Sequence, residues 1–182
     1  MVITKHTLVA LVEDKPGVLT HMASLFRRRG FNIDSIAVGH SEKPNLSRMT
    51  IVVNGSATML EQVRKQLDKI VDVVKVSDIS KNDLVARELA LVKVKATSST
   101  RSEIIELAGI FRANIVDVAL DSVTIEVTGD EDKINSLLDL LRVFGIKEVA
   151  RTGRIAMTRR GSGSPPTEEK ASKTSKKRET KN

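Results

Sequence analysis

The chain has 182 residues, 40% of them hydrophobic, a net charge of +7, four Phe as its only aromatic residues, and no Cys. That length allows one or two domains, the lack of Cys excludes disulfides and thiolate metal sites and suits a reducing cytoplasm, and no apolar run approaches the ~20 residues of a membrane span. The charge does not mark a nucleic-acid surface: residues 151–182 hold ten Lys/Arg and three Asp/Glu, which is the whole excess, so residues 1–150 are neutral and offer little stacking surface.

Met1 to His6 lacks the apolar stretch of a signal peptide. Thr7 to Val12 reads as a strand. Gly17 to Arg29 reads as a helix, because Val18, Met22, Leu25 and Phe26 recur on one face while Arg27 and Arg28 turn to solvent. Asn32 to Gly39 and Arg48 to Asn54 read as strands around a loop marked by Pro44 and Asn45. Ser56 or Thr58 caps the next helix, whose apolar stripe is Leu60, Val63, Leu67 and Ile70. Val71 to Val76 is the last strand of this set.

The order βαββαβ then repeats after a linker near residues 80–85. Glu88 to Lys95 is a strand and Thr100 to Phe111 a helix with Ile104, Ala108 and Phe111 inward. Ile115 to Ala119 and Val123 to Thr128 form a hairpin. Asp130 to Val143 is a helix with Ile134, Leu137, Leu138 and Leu141 inward, and Ile146 to Arg151 closes the set. The pattern predicts an α+β protein of two consecutive ferredoxin-like βαββαβ domains, over 4–79 and 86–160, each a four-stranded antiparallel sheet with both helices on one face. Leu8, Ala10 and Val12 alternate with Val9 and Leu11, so both faces of the first sheet are apolar and the second face needs a cover, from another copy or from the other half. Residues 161–182, rich in Gly, Ser, Pro, Lys and Glu, read as a disordered basic tail.

Little in the chain supports catalysis. His6, His21 and His40 have no metal-ligand spacing, so no metal site is expected, and there is no nucleophile elbow, Walker motif or Gly-x-Gly-x-x-Gly; Gly161-Ser162-Gly163 in the tail reads as linker. Asp130, Glu131 and Asp132 are explained by capping of a helix start. The informative segment is Leu11-Val12-Glu13-Asp14-Lys15-Pro16-Gly17-Val18-Leu19, followed by Arg29-Gly30-Phe31-Asn32-Ile33. A strand runs through a Pro-Gly turn into a helix, which leaves unpaired amides where the helix dipole favours an anion. Asp14 beside it could hold an ammonium group, so the pair suits a free amino acid. A plain strand-to-helix turn accounts for the same residues, and Asn32 by default is a turn residue.

These residues resemble the amino-acid-sensing ACT domain. A longer series of segments is more specific: Leu46-Ser47-Arg48-Met49-Thr50-Ile51, Leu60-Glu61-Gln62, Lys65-Gln66-Leu67, Val71-Asp72-Val73, Arg87 to Val94 and Phe111-Arg112-Ala113-Asn114-Ile115-Val116-Asp117-Val118. Over about residues 5–160 it resembles the small regulatory subunit of acetolactate synthase. The resemblance implies an effector-binding ACT domain at 4–79, a second domain of related topology, and no catalysis or cofactor in this chain. It implies binding to a catalytic large subunit that uses thiamine diphosphate, FAD and magnesium, activation of that subunit, and feedback inhibition by a branched-chain amino acid, valine first. It implies a homodimer with the effector between two ACT domains: Gly17 and Val18 at its carboxylate, Asp14 at its ammonium, Asn32 and Ile33 from the neighbouring copy. Asp14 stands where some family members carry Asn. The alternative is a free-standing amino-acid-sensing ACT protein that controls another enzyme or transcription.

Overall fold

Alternation along one central strand organises each half of the chain. The computed structural model describes residues 4–159. They divide into two units, one running to Leu84 and including residues 158–159, the other Val85–Met157. The expected tail at 161–182 lies outside the described residues.

In the first unit β1 (Thr4–Glu13) lies between β3 (Leu46–Gly55) and β4 (Val73–Asp78), and β2 (Ile33–His40) forms the outer edge beyond β3; all pairings are antiparallel. The register sets Leu8 opposite Ile51 and Ala10 opposite Met49, so these side chains share a face. Helices α1 (Val18–Arg29) and α2 (Ala57–Leu67) cover that face with Val18, Met22, Leu25, Phe26, Leu60, Val63 and Leu67. Each of the larger buried side chains contributes roughly 1.5–3 kcal/mol of burial free energy. Thr7, Val9, Thr50 and Val52, on the opposite face, are buried as well.

The helix ends follow local chemistry. Ser56 Oγ accepts the Met59 N–H (3.3 Å) at the start of α2. Gly30, in the left-handed region at φ 66°, ends α1, and the Phe31 N–H returns to the Phe26 carbonyl (3.0 Å).

The second unit repeats the plan. β5 (Leu84–Lys95) lies between β7 (Ser122–Gly129) and β8 (Ile146–Arg151), with β6 (Asn114–Val118) outside β7. Helices α3 (Arg101–Ile110) and α4 (Glu131–Leu141) pack Ile104, Ala108, Ile134, Leu137 and Leu141 against Ala90, Val92, Val94, Val123, Ile125 and Val127. Asp130 caps α4 by accepting the Lys133 N–H at 2.9 Å.

The fold class is the one expected, α+β with two βαββαβ repeats, but several details differ: β1 begins at Thr4 rather than Thr7, and β5 at Leu84, inside the expected linker, rather than at Glu88. A further strand, β9 (Ile155–Thr158), pairs with β5 and makes the second sheet five-stranded. Its four residues bury only Ala156, too short a pattern to read as a strand from alternation. β4 begins at Val73 rather than Val71, because Ile70 turns into the core and leaves Val71 90% exposed. α4 gives way at Arg142 to a single 3₁₀ turn, which leaves Val143 in solvent. Among the described residues no helix is long and apolar enough to cross a membrane.

Candidate functional site

Four residues, Asp14-Lys15-Pro16-Gly17, carry the chain from β1 into α1. Gly17 adopts φ 93°, a conformation that a side chain would strain, although an added Cβ would meet nothing within 4 Å. As the residue preceding the helix it supplies no capping side chain, and the first turn contains no acidic residue. The first helical bond runs from the His21 N–H to the Gly17 carbonyl (3.0 Å), so the amides of Val18, Leu19 and Thr20 precede the helical ladder. Val18 splits its roles: its side chain is buried in the core, while its amide belongs to the open turn. Together with the helix dipole this is an arrangement that favours a small anion.

Asp14 borders the turn, but not as a free carboxylate. Its amide donates to the Asn45 carbonyl (2.9 Å), which ties the turn to the tip of the β2–β3 hairpin, and its carboxylate lies 3.1 Å from His40 Nδ1. An incoming ammonium group would share or replace that histidine.

Asn32 and Ile33 lie at the far end of α1. The helix has 12 residues, about 18 Å at 1.5 Å per residue, so one chain does not bring Asn32 and Ile33 to Gly17. Asn32 is exposed and Ile33 half-buried at the start of an edge strand.

Sequence reading passed over Asp72, in the turn before β4. Its backbone carbonyl accepts the Glu13 N–H (2.9 Å). Its carboxylate, only 7% exposed, receives Lys15 Nζ at 2.6 Å and lies 2.9 Å from His21 Nδ1. Lys15 also pairs with Glu13 at 2.6 Å. Hydrogen bonds to Asp72 first, and to Glu13 second, push the Lys15 ammonium up to about 12. The Lys15 contact, and then His21, hold the Asp72 carboxyl below the usual carboxylate range. Lys15 is thus engaged by two carboxylates, and the amides rather than this ammonium are the donors left for an anion. The one sequence signal was a charged residue set between two valines at a turn.

The same place in the second unit is built otherwise. In the turn from β5 to α3, the Thr97 and Thr100 side-chain oxygens lie 3.0 Å apart; Thr100 Oγ1 accepts the Thr97 N–H (3.0 Å) and Thr97 Oγ1 the Thr100 N–H (3.3 Å). Among the described residues no group of three His, Cys, Asp or Glu side chains is placed to hold a metal.

Two family models match the chain, the "AHAS small subunit-like ACT domain" over residues 8–75 and the "small subunit of acetolactate synthase" over residues 87–160. The chain is 58% identical over 155 residues to a "probable acetolactate synthase small subunit" of Archaeoglobus fulgidus, covering 85% of this chain and 97% of that one. It is 51% identical over 160 residues to the acetolactate synthase small subunit of Mycobacterium bovis, covering 87% and 95%. Its fold is similar to the crystal structure of the acetolactate synthase small subunit of Thermotoga maritima, with a TM-score of 0.80, 45% identity, and 86% and 98% of the two chains covered.

Proposed function

The chain belongs to the family of acetolactate synthase small subunits, and from that premise we propose that it is a cytoplasmic regulatory subunit. It binds the catalytic large subunit, raises its activity, and confers feedback inhibition by a branched-chain amino acid, valine first. The chain performs no chemistry and holds no cofactor. The large subunit supplies thiamine diphosphate, FAD and magnesium, with which two 2-oxo acids are joined in the first shared step toward valine, isoleucine and leucine.

The observation that supports this reading most is the open start of α1 at Gly17. The effector carboxylate sits on the amides after Gly17 and beside Val18, and its ammonium faces Asp14. Asn32 and Ile33 complete the pocket from a second copy, since about 18 Å of helix separates them from Gly17 in their own chain. Valine has eight heavy atoms; at about 0.7 kcal/mol per atom it binds near ~0.1 mM, an ordinary efficiency for a small ligand. A ligand shifts an equilibrium only by its difference in affinity for the two states. A pocket shared by two copies supplies that difference, because its affinity depends on how the copies are arranged.

Reconstitution tests the proposal. The chain is mixed with the large subunit, the complex is isolated, and acetolactate formation is measured with and without valine. The expected result is a dimeric chain without activity of its own, a gain in activity on mixing, and loss of that gain with valine. Failure to co-purify, with no change in rate, would overturn the proposal in favour of a free-standing amino-acid sensor.

A further inference from the structure

Both units make the same junction where the central strand ends. In the first, the Glu13 N–H donates to the Asp72 carbonyl (2.9 Å); in the second, the Lys95 N–H donates to the Gly145 carbonyl (2.9 Å). The backbone bond is common to both. Gly145 does the fold's work without a side chain, so the junction does not require a carboxylate.

The Asp72 carboxylate nevertheless has two partners, and they flank Gly17. Lys15 (2.6 Å) stands in the turn before it, and His21 (2.9 Å) is the residue whose amide closes the first helical turn onto Gly17. One buried charge therefore bridges both sides of the segment that carries the first-turn amides. His21 is 63% exposed and Lys15 46%, so neither is held by packing; Glu13 also pairs with Lys15, and Asp72 is the carboxylate that links Lys15 to His21.

We propose that Asp72 is a positioning residue for the effector seat: through Lys15 and His21 it holds the Pro16-Gly17 turn in the shape that presents the first-turn amides to an amino acid's carboxylate. This rests on the proposed function, and it adds a residue that lies outside the pocket and acts through two others.

Calorimetry with L-valine on the full-length chain separates the two claims. The parent and Gly17→Asp, Asp72→Asn, Asp72→Gly and His21→Ala are titrated, and the melting midpoint of each is recorded. Asp72→Gly copies Gly145, and His21→Ala, at an exposed site, covers the case in which Asp72 variants fail to fold. The expected result is about a tenfold weaker dissociation constant for both Asp72 variants, and a smaller loss for His21→Ala, at unchanged binding stoichiometry. The double variant Asp72→Asn with His21→Ala should bind no more weakly than Asp72→Asn alone, since the two act in series. A purely structural role would move the melting midpoint and leave the dissociation constant of the folded fraction alone. If the parent binds valine, Gly17→Asp does not, and the Asp72 and His21 variants bind like the parent, the inference falls and the proposed function stands. If the parent binds no branched-chain amino acid, both fall.

Discussion

At the end of its central strand each unit turns into its first helix, and the two turns differ in the groups that line them. After β5, hydroxyl groups of Thr97 and Thr100 are turned back onto the turn's own amides. After β1, Gly17 brings no side chain, and the nearby charges Glu13, Lys15, His21 and Asp72 pair with one another. The same backbone scaffold is thus surrounded in one case by neutral hydroxyls bonded to the loop's own amides and in the other by a cluster of paired charges around a bare glycine, and neither helix start receives a side-chain cap. A fold repeated twice tells which atoms the architecture needs: the strand-end bond to residue 72 or 145 is in both halves, the carboxylate in one.

The most severe way to break the contrast is to close the open turn. Gly17→Asp places a negative charge beside the amides that are otherwise available, where it repels the effector's own carboxylate. Valine binding should weaken by at least about 100-fold, roughly 2.7 kcal/mol. Thr100→Asp at the matching position of the second unit should leave calorimetric binding of valine unchanged. Equal losses in both variants would show that the two turns are not different in kind.

A smaller contrast lies at the other ends of these helices. Gly30 and Arg112 occupy equivalent places, both left-handed, at φ 66° and 50°. In each, the next amide reaches back to the last turn, Phe31 to Phe26 (3.0 Å) and Ala113 to Ala108 (2.8 Å). Only the first is a glycine. Gly30→Ala should cost about 1 kcal/mol, whereas Arg112→Gly should gain about 0.5 kcal/mol by removing a strained side-chain position. Denaturant midpoints of the two variants should therefore move in opposite directions.

The smallest effect is the pH dependence that the Lys15–Asp72 pair gives the first unit. The Lys15 ammonium titrates at 10.5 when unpaired and is raised to about 12 in the fold. A group whose folded value is raised contributes stability that is complete below 10.5 and lost as pH climbs through about 12. Asp72, whose folded value is lowered, contributes stability above the ordinary carboxylate range that is lost as acid protonates it. The difference in melting midpoint between the parent and Lys15→Met should be flat at neutral pH and shrink toward both extremes. A difference that grew above pH 10.5 would contradict the pairing.

Much of this architecture is written in short-range patterns. The stripe Val18, Met22, Leu25, Phe26 is buried as a unit, Ser56 and Asp130 cap the helices they precede, and Ile146–Arg151 is a strand to the residue. The open turn is legible for the same reason, since Pro16-Gly17 fixes the local backbone. What the sequence conceals are pairings made by folding. His21 and Asp72 are 51 residues apart, and nothing in the local run Val71-Asp72-Val73 names a partner. The pairing of Asp14 with His40 is hidden likewise, and so is the addition of β9 to β5, where four residues supply too little alternation. Arg112 is concealed differently: its left-handed backbone is imposed by the helix end and the strand that follows, and an arginine gives no warning of it.

If the proposed pocket is shared between two copies, the length of α1 has a genetic consequence. For a pocket shared by two copies related by a two-fold axis, each copy lends its Gly17 end to one pocket and its Asn32 end to the other. A cell that makes one form damaged at Gly17 and a second damaged at Asn32 assembles mixed pairs in which one pocket collects both faults and the other collects neither. Two alleles that are each insensitive alone then restore sensitivity together, whereas two alleles damaged at the same end of the helix never do.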